Sequence, residues 1–326
     1  MRIWLVQLLY WIWKNRMNKC PITYEDCGNE KYSKAGLSKL SSRLTEFKNL
    51  PFTAQQQRRE AATRATKMSI QGVQPKLSAV LSVKKQQFEI VDKGGTYIIK
   101  PQSDVFKQLP ENEGLTMKMA AIFGIEVPLT GLVYSKDNSF SYFIKRFDRY
   151  GKNKKYHIED FAQLTGNTRD TKYDWSMEKL IPVIEKFCTF PVLEKAKLIH
   201  RVVFCFITGN EDMHLKNFSL ISRNGKVELS PAYDLLNSTI SMENVVEELA
   251  LPLAGKKRKI DGRILFDYYA GERMKLTDKI IQRGKKTITE KKPELERLIS
   301  RSFLSEDMKQ EYYSVLDERT NRLLDS

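Results

Sequence analysis

Four polar side chains in one short stretch have the types and the spacing for phosphoryl-transfer chemistry. Within Gly209–Leu220, Asp212 and Asn217 have four residues between them, a D-x-x-x-x-N pattern. In phosphotransferases this spacing lets the carboxylate face an incoming hydroxyl, while the amide one short loop later points at a metal ion. His214 and Lys216 lie between the two.

The elements around this stretch are of the kind that hold such side chains in place. An apolar run with helical spacing, Ala196 to Thr208, leads into it, and a strand-like run, Phe218 to Ile221, leads out. After a turn signal at Asn224-Gly225, Asp234 follows as a candidate second metal ligand. The alternative is a polar surface turn with a cap at Asp212, but turns seldom need Asp, His, Lys and Asn together on an apolar frame.

The composition is that of an ordinary globular protein with an excess of positive charge. The 326 residues, 41% of them hydrophobic and 29% charged, can bury a sizeable core in one two-lobed unit or two domains. The net charge of +15 favours acidic partners, namely nucleic acid, an acidic protein surface or nucleotide phosphates. Because lysines are scattered along the whole chain, a solubilising surface is the alternative. Four cysteines do not make a disulfide framework at this length.

Residues 1–17 differ from everything that follows them. Their apolar stretch, Ile3 to Trp13, is too short to cross a bilayer, and no small-residue cleavage site follows it. It could lie on a membrane surface or on a partner. We favour a misassigned start codon, with Met17 as the true start, because ordinary polar sequence begins there.

A glycine-bearing turn and a strand lysine stand out in the first half. Met68 to Lys76 contains Gly72 and leads into a strand from Leu77 to Val83, so the turn is either a phosphate cover or part of a hairpin. Asp92-Lys93-Gly94-Gly95 is expected to be a hairpin turn before a strand that ends at Lys100.

Lys100 follows an apolar pair, so the pleat of the strand could send its ammonium group inward. A helix with apolar residues at burial spacing comes next and is opened by Glu111-Asn112-Glu113. In kinases, a strand lysine paired with an early-helix glutamate holds the α- and β-phosphates, which makes Glu113 the candidate partner of Lys100. A favourable interaction with the helix dipole is the other explanation of Glu113.

The composition changes near residue 150. Two strand-like runs, 131–134 and 141–147, precede this point, and helical patterns dominate from Glu159 onward, apart from a hairpin-like run from Glu247 to Ile260. We therefore predict an α+β, two-lobed, protein-kinase-like fold, with a β-rich N-lobe over 18–150 and a helical C-lobe over 151–326.

These pieces, in this order, resemble the HipA family of bacterial Ser/Thr kinases, which are toxins of toxin–antitoxin systems. The resemblance runs from about Cys20 to the C-terminus, and the set of motifs is far more specific than any single one. The carrying segments are Ser69–Lys76, Ile98–Pro101, Glu111–Glu113, Lys145–Arg149, Glu159–Gln163, Gly209–Leu220, Pro231–Asp234 and Leu249–Lys257.

The resemblance implies a role for each candidate residue. Asp212 is similar to the catalytic base that orients and deprotonates the substrate hydroxyl, and Asn217 and Asp234 are similar to the ligands of Mg²⁺. Glu113 is the implied partner of the phosphate-holding lysine. The implied ATP-binding positions lie in several segments. They are Gln71, Gly72, Val73, Gln74, Pro75 and Lys76 in the phosphate loop; the strand lysine Lys100; Lys145, Arg146 and Phe147 in the hinge; and His214, Lys216, Asn217 and Asp234 in and after the catalytic loop.

Ser69 matches the serine that family members autophosphorylate to switch themselves off. A doubly charged phosphate there would repel the phosphates of ATP. Gln71 stands where some short members have a second serine, so two-site autophosphorylation is not expected. The extra N-terminal subdomain of the longest members, which would precede Cys20, is not found in this sequence, and short members have it as a separate small protein.

The resemblance implies a cytoplasmic, ATP- and Mg²⁺-dependent protein Ser/Thr kinase that acts as a toxin. The implied substrate is an aminoacyl-tRNA synthetase, and the implied partners are a helix-turn-helix, HipB-like antitoxin and a small HipS-like protein. DNA would be reached only through the antitoxin, and stable membrane insertion is not expected. Two alternatives stay open: a small-molecule kinase with the same fold, and an inactive kinase-like partner of a DNA-binding repressor.

Overall fold

The computed structural model describes residues 18–65, 74–167, 171–242 and 245–325. The chain divides into two compact units. The first comprises Met1–Pro101 and Gly131–Phe143, and the second comprises Gln102–Thr130 and Ile144–Ser326. By compactness, the segment 102–130 thus belongs with the C-terminal part of the chain, whereas the functional boundary near residue 150 stays a prediction.

The first unit is built on a five-stranded sheet with the order β2-β1-β3-β5-β4. The strands are β1 (Leu77–Ser82), β2 (Gln87–Ile90), β3 (Tyr97–Lys100), β4 (Thr130–Tyr134) and β5 (Phe140–Lys145). The buried side chains of one face include Phe88, whose ring centroid lies 4.8 Å from that of Tyr97 and 5.2 Å from that of Phe143. Clustered aromatic rings of this kind contribute beyond their buried area.

The pairing of the sheet corrects one sequence-based expectation. Asp92–Gly95 does not close a hairpin, because β3 pairs antiparallel with β1, with Leu77 opposite Ile99, and not with β2. The hairpin is instead β1–β2, in which Ser82 lies opposite Gln87. Among residues 18–65, α1 (Lys34–Leu40) and α2 (Ala54–Ala65) precede this sheet, and the Ser33 side chain caps α1 by accepting from the Gly36 amide.

The second unit is mainly helical. Its α-helices are α3 (Leu109–Phe123), α4 (Phe161–Leu164), α5 (Leu180–Phe187), α6 (Pro191–Ile207), α7 (Asp278–Arg301) and α8 (Glu306–Leu324), and a π-helix spans Arg263–Arg273. The central helix is α6, which has buried residues from Leu198 to Ile207 and packs against α5 and α8. An antiparallel sheet and helices together give the predicted α+β fold class.

Short strands flank the predicted active-site residues. β6 (Arg149–Tyr150) pairs with β7 (Lys154–Lys155), and β8 (His157–Asp160), β9 (Ser219–Arg223) and β10 (Lys226–Leu229) form a sheet in the order β10-β9-β8. The turn predicted at Asn224-Gly225 joins β9 to β10, and both residues have positive φ, 53° and 71°, as a tight hairpin requires.

The predicted hairpin from Glu247 to Ile260 is reduced to an isolated bridge between Leu253 and Lys256. Within the ranges described above, no helix has the length and apolarity needed to cross a bilayer.

Candidate active site

The Asp212 turn, Gly209–Asn217, begins where α6 ends. Gly209 has φ 71°, and a Cβ atom at this position would lie 2.5 Å from Oδ1 of Asn237 and 2.8 Å from Oγ1 of Thr239. Only glycine combines this left-handed conformation with so close an approach. The amide of Asn210 then donates to the carbonyl of Cys205 over 2.9 Å and so ties the turn to the last residues of α6.

The residue before Asp212 is held by a buried ion pair. Glu211 and Arg319 of α8 have side chains that are 4% and 6% exposed, and Nη2 of Arg319 donates to Oε1 of Glu211 over 2.7 Å. Nη1 of Arg319 donates to the carbonyl of Phe206 over 3.0 Å. Arg319 therefore joins α8 both to the end of α6 and to the Asp212 turn.

Two hydroxyl groups complete the environment of Glu211. Oγ of Ser238 accepts from the Glu211 amide over 2.7 Å and lies 3.2 Å from Oε2 of the same residue. The hydroxyl of Thr239 donates to Oε1 of Glu211 and lies 3.3 Å from Nη2 of Arg319. A buried pair is favourable only when the remaining donors and acceptors are also satisfied, and here three groups, from Arg319, Ser238 and Thr239, contact the carboxylate.

A second link fixes the segment that carries Ser238. The side-chain amide of Asn112 on α3 donates to the carbonyl of Asn237 over 2.8 Å, and its Oδ1 accepts from the Asn237 amide over 2.8 Å. Thr116, one turn later on α3, hydrogen-bonds Tyr312 of α8 over 2.9 Å. Helices α3, α6 and α8 thus position the Asp212 turn together.

Asp212 itself is accessible, in contrast to Glu211. Its side chain is 47% exposed, and its amide donates to Oδ1 of Asn210 over 3.2 Å. One carboxylate oxygen accepts a 2.5 Å hydrogen bond from the hydroxyl of Tyr173 and lies 4.0 Å from Nε2 of His214. Burial, followed by the Asp212 carboxylate, raises the pKa of Tyr173, so this hydroxyl is a hydrogen-bond donor at neutral pH.

His214 is buried beside Asp212. Burial lowers the pKa of His214, while the carboxylate of Asp212 acts in the opposite direction. The ring packs edge-on against Tyr173, with centroids 5.1 Å apart. Its Nδ1 has no hydrogen-bond partner within the described ranges.

Asn217 closes the Asp212 turn. It ends a 3-10 turn, Leu215–Asn217, and its Nδ2 donates to the backbone carbonyl of Asp212 over 2.8 Å. This hydrogen bond fixes the orientation of the amide and leaves Oδ1, a good ligand for Mg²⁺, as the other functional atom.

Asp234 lies in a constrained segment. Its φ of 54° is in the left-handed region, which Asp tolerates better than most residues. The chain before it is held by Arg201, whose Nη2 donates to the carbonyl of Ser230 over 2.7 Å. Asp234 is close enough to His214 to favour the protonated imidazole.

Tyr233 joins the Asp234 segment to two other predicted nucleotide-binding segments. Its hydroxyl donates to the carbonyl of Lys216 over 2.9 Å and is also hydrogen-bonded to Ser219, and its ring stacks on Phe147 with centroids 5.7 Å apart. The structure thus brings Asp212, His214, Lys216, Asn217, Asp234 and Phe147 into one connected region of the second unit.

The other two residues of the predicted hinge, Arg146 and Lys145, have contacts that differ from those of Phe147. Arg146 chelates the Asp148 carboxylate with hydrogen bonds of 2.9 and 2.7 Å. The Lys145 side chain is exposed, and its amide donates to the carbonyl of Leu129 over 2.8 Å. That amide therefore has a partner within the protein, and the role of 145–147 as a hinge that binds adenine stays a prediction.

Comparison with known proteins assigns the family. The model of the HipA-like C-terminal domain matches residues 68–300. A Haemophilus influenzae protein named "Putative kinase" is 30% identical over 311 residues, which cover 84% of this chain and 87% of that protein. The chain belongs to the HipA-like C-terminal domain family.

One further sequence relative and two solved structures are also similar to this chain. The serine/threonine-protein kinase toxin HipA of Shewanella oneidensis is 28% identical over 207 residues, which cover 57% of this chain and 47% of HipA, so the match spans about half of that relative. The S. oneidensis complex of HipA, HipB and operator DNA matches with a TM-score of 0.68 and 23% identity, over 86% of this chain and 73% of the matched chain. The Helicobacter pylori proinflammatory kinase CtkA matches with a TM-score of 0.56 and 18% identity, over 79% of this chain and 92% of CtkA. These similarities confirm the kinase-like fold.

The remaining candidate residues of this HipA-like chain have different outcomes. Lys100 is 3% exposed, and its Nζ lies 5.5 Å from the ring centroid of Tyr142, so the ammonium group does point inward. Gln74, Pro75 and Lys76 are half-buried. Ser69, Gln71, Gly72 and Val73 lie outside the described residues.

Glu113 is buried, with 1% of its surface exposed, and lies in the second turn of α3 rather than at its start. The helix-dipole explanation therefore does not apply, because the dipole acts within the first turn. Lys100 and Glu113 belong to different compact units, and their ion pair stays a prediction.

The donor set fits Mg²⁺ better than a metal held by the protein alone. Across the described ranges, no group of three or more His, Cys, Asp or Glu side chains is arranged to hold a metal ion. Mg²⁺ commonly binds through one or two protein oxygens together with substrate phosphates and water. Asn217 and Asp234, an amide oxygen and a carboxylate, supply that number and type of ligand.

Several positioning residues were not foreseen in the sequence. They are Glu211, Arg319, Ser238, Thr239, Asn112 and Tyr173. Glu211 carried a signal, since a second acid directly before Asp212 is unlike a simple polar turn. Arg319 carried none, because its partner is 108 residues away along the chain.

Proposed function

We propose that this protein is an ATP- and Mg²⁺-dependent protein Ser/Thr kinase with Asp212 as its catalytic base. The observation that carries the proposal is the contrast between adjacent acids: Glu211 is buried and paired with Arg319, while Asp212 is exposed on the turn that Glu211 holds. A carboxylate that is accessible yet fixed in direction suits a general base.

In the proposed reaction, a substrate hydroxyl replaces Tyr173 as the hydrogen-bond donor to Asp212. The hydroxyl oxygen forms a bond to the γ-phosphorus of ATP, the bond from that phosphorus to the β–γ bridging oxygen breaks, and ADP leaves. The hydroxyl proton passes to Asp212. Positioning and electrostatic stabilisation provide most of the rate in such transfers.

Asn217 and Asp234 would hold Mg²⁺. The ion would supply positive charge that neutralises the phosphates as the γ-phosphoryl group is transferred. The hydrogen bond from Asn217 to the Asp212 carbonyl couples the orientation of this ligand to that of the base. His214 and Lys216 are proposed to support the nucleotide side of the turn.

The other nucleotide contacts are proposed from the family resemblance. Lys100 would hold the α- and β-phosphates with Glu113 as its partner, residues 71–76 would cover the phosphates, and the segment 145–147 would bind adenine. Ser69 is the proposed autophosphorylation site. Ser69→Ala should therefore remove self-labelling without reducing ATP binding.

We further propose a toxin role with a helix-turn-helix antitoxin. Its support is the fold similarity to a complex of HipA with HipB and operator DNA, together with membership in the family. The proposed substrate is a protein of the aminoacyl-tRNA synthetase class, with a small HipS-like protein as an additional partner and the cytoplasm as the location.

Transfer of label from γ-labelled ATP to protein tests the activity. We expect the purified full chain to label itself, and Asp212→Ala and Asp234→Ala to abolish the label. Asp267→Asn is the matched control, because Asp267 is an exposed acid of the same unit and has no proposed role. Label on both alanine variants at the wild-type level would refute the site assignment.

A further inference from the structure

A groove of about 900 Å³ in the second unit has no role in the proposed reaction. It lies between the end of α3, α6, the π-helix Arg263–Arg273 and the first half of α7. This volume is in the range of ligand-binding clefts. We call it the basic groove. None of the residues assigned above to catalysis or ATP binding lines it.

The lining of the basic groove combines an apolar floor with a cationic rim. The floor includes Phe123, Ile199, Val203, Phe266, Leu276 and Ile281, and the rim cations are Lys197, Lys279, Arg283, Lys286 and Lys291. One acid, Glu290, also lines the groove. Lys197 and Lys291 are ion-paired with Glu194 and Glu294 over 2.9 and 3.3 Å, so the excess of positive charge on the rim comes from the cations of the first half of α7.

Gly284, which has no side chain, keeps the groove open along α7. Gly284 is in the interior of this helix, where glycine costs about 1 kcal/mol relative to alanine. A Cβ atom there would be 3.9 Å from Cε1 of Phe266, which is ordinary contact, so packing does not require glycine. A larger side chain at position 284 would project toward Phe266 and occupy the groove.

Three cations follow one face of α7 at the entrance of the groove. Lys279, Arg283 and Lys286 have the spacing i, i+4, i+7, which places them in one stripe about 10 Å long. Lys286 has a partner, with its Nζ 3.4 Å from Oε1 of Glu290. Lys279 and Arg283 make no ion pair with any residue in the described ranges.

The positions of Lys279 and Arg283 make the helix α7 less stable. Lys279 is the second residue of α7, where the helix dipole disfavours a cation by about 0.3–1 kcal/mol. Arg283 is four residues later, and like charges at this spacing cost about 0.2–0.5 kcal/mol. Arg283 also lies close enough to His200 to lower the pKa of that imidazole, although burial is the larger cause. The cationic stripe is therefore not explained by the stability of the fold.

We propose that the basic groove binds an acidic amphipathic helix of a partner protein. Apolar residues of such a helix would cover the floor, and acidic residues at the spacing i, i+4, i+7 would face the cationic stripe. The charge and the apolar floor together favour this occupant. Duplex nucleic acid keeps the faces of its bases stacked inside and presents a charged backbone, and a flat membrane surface does not enter a groove.

Binding of a synthetic peptide tests this proposal without any dependence on kinase activity. The probe is a fluorescent helical peptide with Leu at i, i+3, i+4 and i+7 and Glu on both sides of that stripe. Two companion peptides replace all Glu with Lys or all Leu with Ser. We expect the full-length protein to bind the first peptide by fluorescence anisotropy, more weakly at high salt, and to bind neither companion.

Two sets of charge reversals locate the site. Lys279→Glu, Arg283→Glu and Lys286→Glu together should raise the dissociation constant by about tenfold or more. The control, Lys84→Glu, Lys93→Glu and Lys136→Glu, makes the same change in charge at exposed sites of the first unit and should alter it by less than about twofold. Gly284→Leu, which fills the groove without a change in charge, should also weaken binding.

Several results would overturn the proposal. One is failure of the Leu-Glu peptide to bind wild-type protein, and another is equal binding by the groove variants and wild type. Equal binding of the Leu-to-Ser peptide would mean that the groove recognises charge alone. Displacement of the peptide by vesicles of phosphatidylglycerol or by duplex DNA at comparable concentration would assign the stripe to those ligands instead.

Discussion

The Asp212 turn and the basic groove use charge in opposite ways. At the turn, Glu211 and Arg319 are almost completely buried, and each charge is satisfied by the other and by neighbouring hydroxyl or carbonyl groups. At the groove, Lys279 and Arg283 are exposed, and the structure pairs neither with an acid among the residues it describes.

The difference separates positioning from recognition. A buried pair holds backbone in one place, because breaking it leaves an uncompensated charge in a medium of low dielectric constant. Exposed cations contribute little to stability, and their charge is available to interact with a binding partner. Mutations of the buried pair should therefore change both rate and stability, whereas reversals at the groove should change only binding.

The largest effect should come from the exposed acid of the turn. Asp212→Asn removes the base but keeps the shape of the side chain, so we expect kcat to fall by about 10²- to 10⁴-fold. ATP affinity and thermal stability should change little, because the side chain is 47% exposed. The rate of ADP production measures kcat, and equilibrium binding of ATP measures its affinity. Equal losses of binding and rate would mean that Asp212 binds nucleotide rather than acting as a base.

The next effect should come from the buried pair. Arg319→Met leaves Glu211 buried without its cation and should cost about 3–5 kcal/mol of unfolding free energy. The same variant should lower kcat more than it raises KM, because it disturbs the turn rather than a substrate contact.

Conservative and double variants separate positioning from folding. Arg319→Lys keeps the charge and should restore part of kcat, while Glu211→Gln combined with Arg319→Met should recover stability, since no buried charge remains. Urea unfolding and steady-state kinetics provide both measurements. Full activity in folded Arg319→Met would show that the pair does not position Asp212.

A buried acid that has no cationic partner among the residues the structure describes sharpens the contrast. Glu111 on α3 is 7% exposed and is hydrogen-bonded to Gln102 at 3.2 Å, and burial raises its pKa to about 7. Because this folded-state pKa is above the unfolded value, the protein gains relative stability at low pH and loses it as the pH rises from about 4.5 to about 7.

Glu111→Gln should remove this pH dependence. At pH 8 the variant should be more stable than wild type by up to about 3 kcal/mol, and the difference should vanish below about pH 4. Urea unfolding at several pH values checks the sign. A wild-type protein that becomes more stable between pH 5 and 7, by an amount that Glu111→Gln abolishes, would contradict the expected shift.

The smallest effect should come from Tyr173. Its hydroxyl occupies the carboxylate oxygen that the substrate hydroxyl must reach, so Tyr173→Phe should lower KM for a protein substrate by up to about fivefold with little change in kcat. Initial rates over a range of substrate concentrations measure this. A fall in kcat as large as that of Asp212→Asn would instead place the Tyr173 hydroxyl in the chemistry.

Local patterns in the sequence predicted the elements and most of the candidate site. The apolar spacing before Gly209 predicted the end of α6, and Asn224-Gly225 predicted the β9–β10 turn. The apolar pair before Lys100 was consistent with the inward orientation that its burial shows. These features depend on residues within a few positions of each other.

The features that the sequence did not reveal depend on distant residues. The pairing of β3 with β1 rather than β2 depends on register across the sheet, which the turn signal at Asp92–Gly95 does not encode. Arg319 reaches Glu211 only because α8 packs on α6. The cationic stripe on α7 resembles any solvated helix face until the groove beside it is known.

The central claim, that Asp212 transfers a proton from a protein hydroxyl during phosphoryl transfer, is tested most directly by intact-protein mass spectrometry. The purified chain is incubated with ATP and Mg²⁺, alongside Asp212→Asn and Asp267→Asn. We predict that the wild type and Asp267→Asn gain the mass of a phosphoryl group, whereas Asp212→Asn binds ATP and gains none. Phosphorylation of Asp212→Asn at the wild-type rate, or no phosphorylation of wild-type chain or of any added protein, would contradict the account.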